Sequence, residues 1–104
     1  MANAYYLGDR VKIQTSTPFT DVETDTATDP AVVRMKVRSP SGTSTTYTYG
    51  DDDDVERVAA GDYQMYVNAS EVGDWYYRIE GESADGNYMG AFEGWFSVKA
   101  TEFS

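Results

Sequence analysis

Aromatic side chains are the first candidates for binding in this sequence. Period-two alternation places three of them on the outward sides of predicted strands: Tyr66, Tyr76 and Trp95. Outward rings can stack on the apolar face of a sugar or bury a large area against another protein, and Tyr and Trp are enriched at protein interfaces. The same rings can instead support cross-strand packing. Sheet packing, a protein contact and a sugar platform therefore all remain open.

Three cations occupy alternate positions of one predicted strand: Arg34, Lys36 and Arg38. Residues two apart in a strand share a face, so the cations form a row. The chain is otherwise acidic, with 18 Asp and Glu against 8 Lys and Arg and a formal net charge of −10. Such a row could steer docking onto an acidic surface. It could equally pair with carboxylates of a neighbouring strand or protect an edge strand from aggregation.

Carboxylates are densest in the run Asp51–Asp54, which could supply oxygen ligands to Ca²⁺. The run lacks the spacing of an EF-hand loop, so a solvated, self-repelling loop is the main alternative. The long segment 17–29 adds further acids, which would matter only if the two loops met: Asp21, Glu23, Asp25 and Asp29. The sequence therefore assigns no metal ligand.

The sequence contains no catalytic signature. His and Cys are both absent, which removes the commonest general base and every Ser-His or Cys-His pair. A carboxylate pair for glycoside hydrolysis is a third alternative, but eighteen acids offer many pairs and select none. We therefore expect a non-enzymatic protein with no catalytic residue and no cofactor.

The net charge and the composition of the segments limit the classes of partner that the protein is expected to bind. An acidic chain is poorly suited to nucleic acid or anionic membranes, because both are bound through Lys and Arg. The start, MANAYYLGDR, lacks the basic and apolar regions of a secretion signal, and no run approaches the roughly 18 apolar residues that span a bilayer. We expect a product made in the cytosol, without a secretion signal and without a membrane partner.

The whole chain, 1–104, is predicted to form a single all-β domain. Leu occurs once, while Thr, Val and Tyr are abundant, a balance that favours strands over helices. About seven antiparallel strands follow from the alternation, with turn signals at Pro40, Gly42 and Asp85-Gly86. The residues predicted to face inward are Val33, Met35, Val37, Tyr63, Met65, Val67, Trp75, Tyr77 and Ile79, followed by Phe92, Phe96 and Val98.

Three segments are less regular. Residues 17–29, which include Phe19 and Val22, are predicted to form a long connection, with a short edge strand as an open alternative. The segment VERVAAG, 55–61, could be one helical turn or a short strand. Gly94 lies in the middle of the last strand and predicts a bulge there.

The stretch Glu71-x-Gly73-x-Trp75-x-Tyr77 resembles the corner motif of immunoglobulin-type domains, with Trp in the Tyr place and Tyr in the Cys place. In that family the motif starts the penultimate strand, and its ring folds back to bond the backbone upstream. The resemblance implies an immunoglobulin-like β-sandwich. The chain departs from the family in having no disulfide, and Met35 stands where a Trp would be expected.

More narrowly, the layout YYLGDRVKI, then DPAVVRMKVRSPSG, then GDYQMYVNASEVGDWYYRIEG, is similar to that of one-domain immunoglobulin-like accessory and decoration proteins of tailed-phage virions. This resemblance implies a virion location and attachment to a large assembly, such as a major capsid or tail protein. A homo-oligomer is also compatible with it. The expected partner-binding residues are Arg34, Lys36, Arg38, Tyr66, Tyr76 and Trp95. A carbohydrate-binding module, with or without Ca²⁺, is the alternative function.

Overall fold

The computed structural model describes residues 4–21, 23–84, 86 and 88–100, with only the backbone described at 88 and 89. Within these ranges the chain forms eight strands and no helix, so none that could cross a membrane. The strands are β1 (Ala4–Tyr6), β2 (Arg10–Gln14), β3 (Val32–Arg38), β4 (Ser44–Thr48), β5 (Val55–Ala59), β6 (Asp62–Asn68), β7 (Gly73–Glu82) and β8 (Tyr88–Lys99).

The strands form two sheets. One has the order β1-β8-β7-β3-β4 and the other the order β2-β6-β5. In the five-stranded sheet, β4 extends the group β3, β7 and β8 on one side and β1 extends it on the other. The predicted all-β sandwich is therefore confirmed. The described chain has eight strands rather than about seven, and one pair, β1 with β8, is parallel.

The core lies between the inner faces of the two sheets. Every residue predicted to face inward on β3 is buried, as are Tyr63, Met65, Trp75 and Ile79, whereas Val67 and Tyr77 are only partly buried. Phe19, which the sequence placed in a long connection, is 2% exposed and packs edge-on against Phe92 at 5.4 Å. The loop therefore contributes a core residue.

The turns and the less regular segments can be compared with their predictions. The hairpin between β3 and β4 turns at the predicted place, where the Gly42 N–H donates to the Ser39 carbonyl oxygen at 2.9 Å. Segment 55–61 begins with the strand β5. A short bridge joins Thr20 to Ala27 within the long connection. Val22 and Asp85 lie outside the described residues.

The predicted bulge at Gly94 is wrong. Pairing of β7 with β8 is continuous there, with Gly94 opposite Tyr77, and the register shifts instead between Gly81 and Glu82. A Cβ at position 94 would lie 2.4 Å from the Tyr77 hydroxyl oxygen, so glycine leaves room for that ring to lie across the strand.

The side chain of Trp75 holds the segment that precedes β7. Trp75 lies near the start of β7, and its Nε1–H donates to the carbonyl oxygen of Glu71 at 3.0 Å. Its ring stacks on Phe96 with the centroids 5.8 Å apart. Gly73 has a φ of +130°, and a Cβ there would lie 2.8 Å from Pro40. Trp75 therefore ties the chain before β7 to the core.

Asp29 joins the long connection to the turn between β5 and β6. Its carboxylate accepts hydrogen bonds from the Arg57 Nε–H at 3.0 Å, the Gly61 N–H at 2.9 Å and the Tyr63 hydroxyl at 2.9 Å. The bond from Arg57, followed by that from Gly61, lowers the pKa of Asp29 from 3.8 to about 2. Burial, reinforced by the neighbouring carboxylate, raises the pKa of Tyr63 to about 12.

We expect Trp75→Phe to lower the free energy of unfolding by about 1–3 kcal/mol, because it removes a hydrogen bond and some buried ring. Urea unfolding followed by far-ultraviolet circular dichroism measures it. The control is Trp95→Phe at the other tryptophan, which is 50% exposed and should change stability by less than about 0.5 kcal/mol. Equal losses in the two variants would contradict the role of the Trp75 bond.

We expect acid to remove the contribution of the Asp29 carboxylate to the free energy of unfolding. Because the pKa is depressed in the folded state, the stabilisation is complete above about pH 4 and disappears as the pH falls towards 2. The carboxylate is 41% exposed, so solvent screening limits the effect to about 1 kcal/mol. The stability gap between the parent protein and Asp29→Asn, measured by urea unfolding, should therefore close over that pH range.

The control for this pH series is Asp25→Asn in the same loop, since in the described chain the Asp25 carboxylate accepts no hydrogen bond. A gap for Asp29→Asn that stayed constant from pH 6 to pH 2 would show that ionisation of Asp29 does not stabilise the fold.

Candidate functional site

The outer face of the five-stranded sheet brings together five of the six residues predicted to bind a partner. Arg38 lies opposite Tyr76, and Tyr76 lies opposite Trp95, so the three form one row across β3, β7 and β8. Lys36 and Arg34 follow along β3 on the same face, because residues two apart in a strand share a side. We call the row of Arg38, Tyr76 and Trp95 the aromatic row.

The aromatic row is open to solvent. Tyr76 is 45% exposed and Trp95 is 50% exposed. The Arg38 guanidinium carbon lies 5.1 Å from the centroid of the Tyr76 ring, within the range of a cation–π contact. The row thus presents two ring surfaces and one cation side by side.

Tyr66 does not belong to this face. It lies on β6, opposite Lys12, in the three-stranded sheet. The Arg10 guanidinium carbon lies 4.2 Å from its ring centroid, and the ring is 38% exposed. Tyr66 is therefore on the opposite side of the sandwich from the other five residues.

Glu80 lies next to the row of cations and is 3% exposed although it belongs to the outer face of the sheet. Its carboxylate lies 2.8 Å from Arg78 Nε, 3.2 Å from Lys36 Nζ and 3.7 Å from Arg34 Nη1. Burial alone would raise the pKa of Glu80, but the hydrogen bonds from Arg78 and Lys36 outweigh it and hold that pKa below its usual range. Glu80 is therefore a buried carboxylate held ionised by cations from two strands.

Two further carboxylates extend this ion-pair network. Glu82 lies 2.7 Å from Arg34 Nη2, and Glu93 pairs with Arg78 Nη1. Hydrogen bonds from Arg78 to Glu80 and Glu93 raise the pKa of that guanidinium. Two of the three cations in the predicted row are thus neutralised within the sheet, which is the pairing alternative left open by the sequence.

Arg38 is the exception. Among the described residues it forms no ion pair with a carboxylate, so its charge is available to a partner. The edge-protection alternative does not apply to any of the three cations, because β3 lies between β7 and β4 rather than at an edge.

A shallow pocket of about 330 Å³ adjoins the aromatic row. Its lining includes the side chains of Lys36, Arg38, Ser44, Thr46, Tyr76, Arg78 and Glu93. Hydroxyls, cations and a ring edge can bind a polar or carboxylate-bearing group. His and Cys are absent from the chain, so the pocket contains neither an imidazole base nor a thiol nucleophile.

The acidic run does not form a metal site in the described chain, where no three acidic side chains lie close enough to share a cation. Asp52, which belongs to this run, has a structural role. Its carboxylate accepts a hydrogen bond from the Thr48 N–H at 2.8 Å and so closes the turn after β4.

Glu80 and Arg78 are the residues of this face that sequence reasoning missed. Alternation placed both outward, which is where they lie, but it gave no sign that a carboxylate between cations would be buried. One feature of the sequence could have indicated this burial: β3 carries a row of cations, and a later strand carries an acid at an outward position.

Comparisons with known proteins found no match to this chain. No protein-family model, no curated protein and no solved structure matches the chain.

We expect Glu80→Gln to lower the free energy of unfolding by about 2 kcal/mol, because it weakens the charge-assisted hydrogen bonds that Arg78 and Lys36 make to a buried carboxylate. The control is Glu93→Gln, which removes a 66% exposed partner of the same Arg78 and should cost less than about 1 kcal/mol. Urea unfolding measures both. If the two variants were equally stable, the cluster around Glu80 would not be an important support of the sheet.

Proposed function

We propose that this protein is a non-enzymatic binding protein that attaches to a large protein assembly through the outer face of its five-stranded sheet. The observation that carries the proposal is the aromatic row: two half-exposed rings beside a cation without a carboxylate partner in the described chain. Tyr, Trp and Arg are the residue types that most often dominate the energy of protein interfaces.

The ion-pair network supports such a surface in two ways. It fixes the long side chains of Arg34, Lys36 and Arg78 before a partner arrives, so less side-chain entropy is lost on binding. It also cancels most of the charge next to the rings. The net charge of the chain is −10, so a nearly neutral face is where an acidic or neutral protein surface can approach with least repulsion.

The setting we propose is a virion, with the protein as an accessory or decoration component attached to a capsid or tail protein. Support for this setting is the resemblance of the sequence layout to one-domain immunoglobulin-like virion proteins, together with the sandwich fold. A symmetric shell offers many identical docking positions, and avidity can then offset a weak single contact if copies are linked.

A carbohydrate-binding module is the second candidate. The observation that favours it is the position of Tyr76 and Trp95 on neighbouring strands beside a pocket of about 330 Å³. Adjacent rings can stack on sugar faces, and the hydroxyls of Ser44 and Thr46 could bind sugar hydroxyls.

Affinity purification from the native source, with mass spectrometry of the bound proteins, tests the main proposal. We expect the parent protein to retain one structural protein of an assembly, and Trp95→Ala and Arg38→Ala each to reduce retention at least about tenfold, since truncated interface anchors typically cost over 1 kcal/mol. The matched control is Tyr66→Ala, which removes an exposed ring from the opposite sheet and should retain the partner.

Other results would contradict this docking surface. Equal loss with Tyr66→Ala would place the contact elsewhere, and retention by Trp95→Ala would remove the ring from it. Binding on a glycan array that Trp95→Ala abolishes, without any retained protein, would replace the main proposal with the carbohydrate-binding one.

A further inference from the structure

The four sheet edges in the described part of the chain differ in how well they are closed. The edge at β1 is only three residues long. The edge at β5 is interrupted, because its pairing with β6 shifts between Arg57 and Ala59. The edge at β4 is capped at its last residue, since the Thr48 N–H donates to the Asp52 carboxylate and the Thr48 carbonyl oxygen accepts from the Asp51 and Asp52 N–H groups at 3.1 and 2.9 Å.

The edge at β2 has none of these features. Its pairing with β6 runs without a shift from Arg10 to Gln14. The Thr15 N–H donates to the Tyr63 carbonyl oxygen, and the Ala69 N–H donates to that of Asp9, which places the hydrogen bonds to β6 on odd-numbered residues of this segment.

Backbone groups alternate in direction along an antiparallel strand. The N–H and C=O groups of Arg10, Lys12 and Gln14 therefore point away from β6, towards the open side. In the described chain no strand pairs with that side, because β2 ends its sheet. The result is a regular row of backbone donors and acceptors at the surface.

Two cations flank this row. The side chains of Arg10 and Lys12 are exposed on the outer face of β2. Neither forms an ion pair with a carboxylate in the described chain; Arg10 lies over the Tyr66 ring instead. This edge therefore carries two cations outside any ion pair of the described residues in a chain whose net charge is −10, and Asp53, Asp54 and Glu56 line the same surface cleft as Arg10.

We propose that the open edge of β2 binds an extended acidic segment of a partner protein by strand addition. The backbone of that segment would bond to the free groups of Arg10, Lys12 and Gln14, as in other cases where a peptide extends a sheet. Its acidic residues, at alternate positions, would lie on the outer face beside Arg10 and Lys12. The positions between them would point to the inner side, where Val11 and Ile13 lie, and would be apolar.

A second copy of this chain is a poor occupant of the edge. Antiparallel pairing of two β2 strands centred on Lys12 would place the two Lys12 side chains directly opposite each other, and like charges in that position are destabilising. The cations that prevent self-pairing also select an acidic strand, so protection of the edge and specificity come from the same residues.

The test uses two synthetic peptides, Thr-Glu-Val-Glu-Val-Thr and its counterpart with Lys in place of Glu, added to the full chain labelled with ¹⁵N. We expect the acidic peptide to slow amide hydrogen exchange at Arg10, Lys12 and Gln14. The Lys peptide should bind at least about tenfold more weakly, because it places like charges side by side. Absence of protection on β2, or equal binding of the two peptides, would overturn the proposal.

Two variants of Lys12 sharpen the test. Lys12→Pro removes one N–H on the open side without removing a bond to β6, and it should abolish binding; the matched control is Thr46→Pro, on the open side of β4, which should not. Lys12→Glu keeps the N–H and should bring the two peptides to similar affinity or favour the Lys peptide. Unchanged preference in Lys12→Glu would overturn the proposal even if Lys12→Pro failed to fold.

This site is independent of the aromatic row. Trp95→Ala should leave peptide protection at β2 unchanged, and Lys12→Glu should leave retention of the assembly partner unchanged. Loss of peptide binding in Trp95→Ala would show that the peptide binds the aromatic row instead, and would overturn strand addition.

Discussion

The register of β7 between β3 and β8 is the constraint on which the molecule depends. Side chains alternate between faces, so a slip of one residue would turn Trp75 and Ile79 outward and bury Arg78. Contacts between strands support this register: the Trp75 ring stacks on Phe96 of β8, and Glu80 engages Arg34 and Lys36 of β3. Together they give the five-stranded sheet one apolar face and one organised polar face.

On the polar face, some cations stabilise the fold and another is left without an ion pair. A carboxylate taken out of water must be surrounded by cations, and Glu80 therefore engages Arg34, Lys36 and Arg78. Arg38, one step further along β3, lies beyond the reach of this cluster and rests over a ring. The fold thus uses three of its eight cations to stabilise a buried acid and leaves another beside Tyr76 and Trp95, at a surface able to bind.

Much of the fold could be read from the sequence because alternation and turn residues act locally. The inward positions of β3, the hairpin at Gly42 and the corner at Trp75 all followed from short segments. Contacts between strands could not be predicted in this way. The burial of Glu80 and the space that Gly94 leaves for Tyr77 depend on residues distant in sequence. The hydrogen bond from Thr48 to Asp52 depends on the geometry of a turn, which composition does not determine. Tyr66 shows the same limit, since alternation gives a side of a strand but not the sheet to which the strand belongs.

The parallel pairing of β1 with β8 determines how the domain would carry a mechanical load. Tyr6 lies beside Lys99, and the Leu7 N–H donates to the Lys99 carbonyl oxygen at 2.9 Å. Tension applied through β1 towards one end of the sandwich and through β8 towards the other acts along these strands, so their backbone bonds share the force instead of opening one after another.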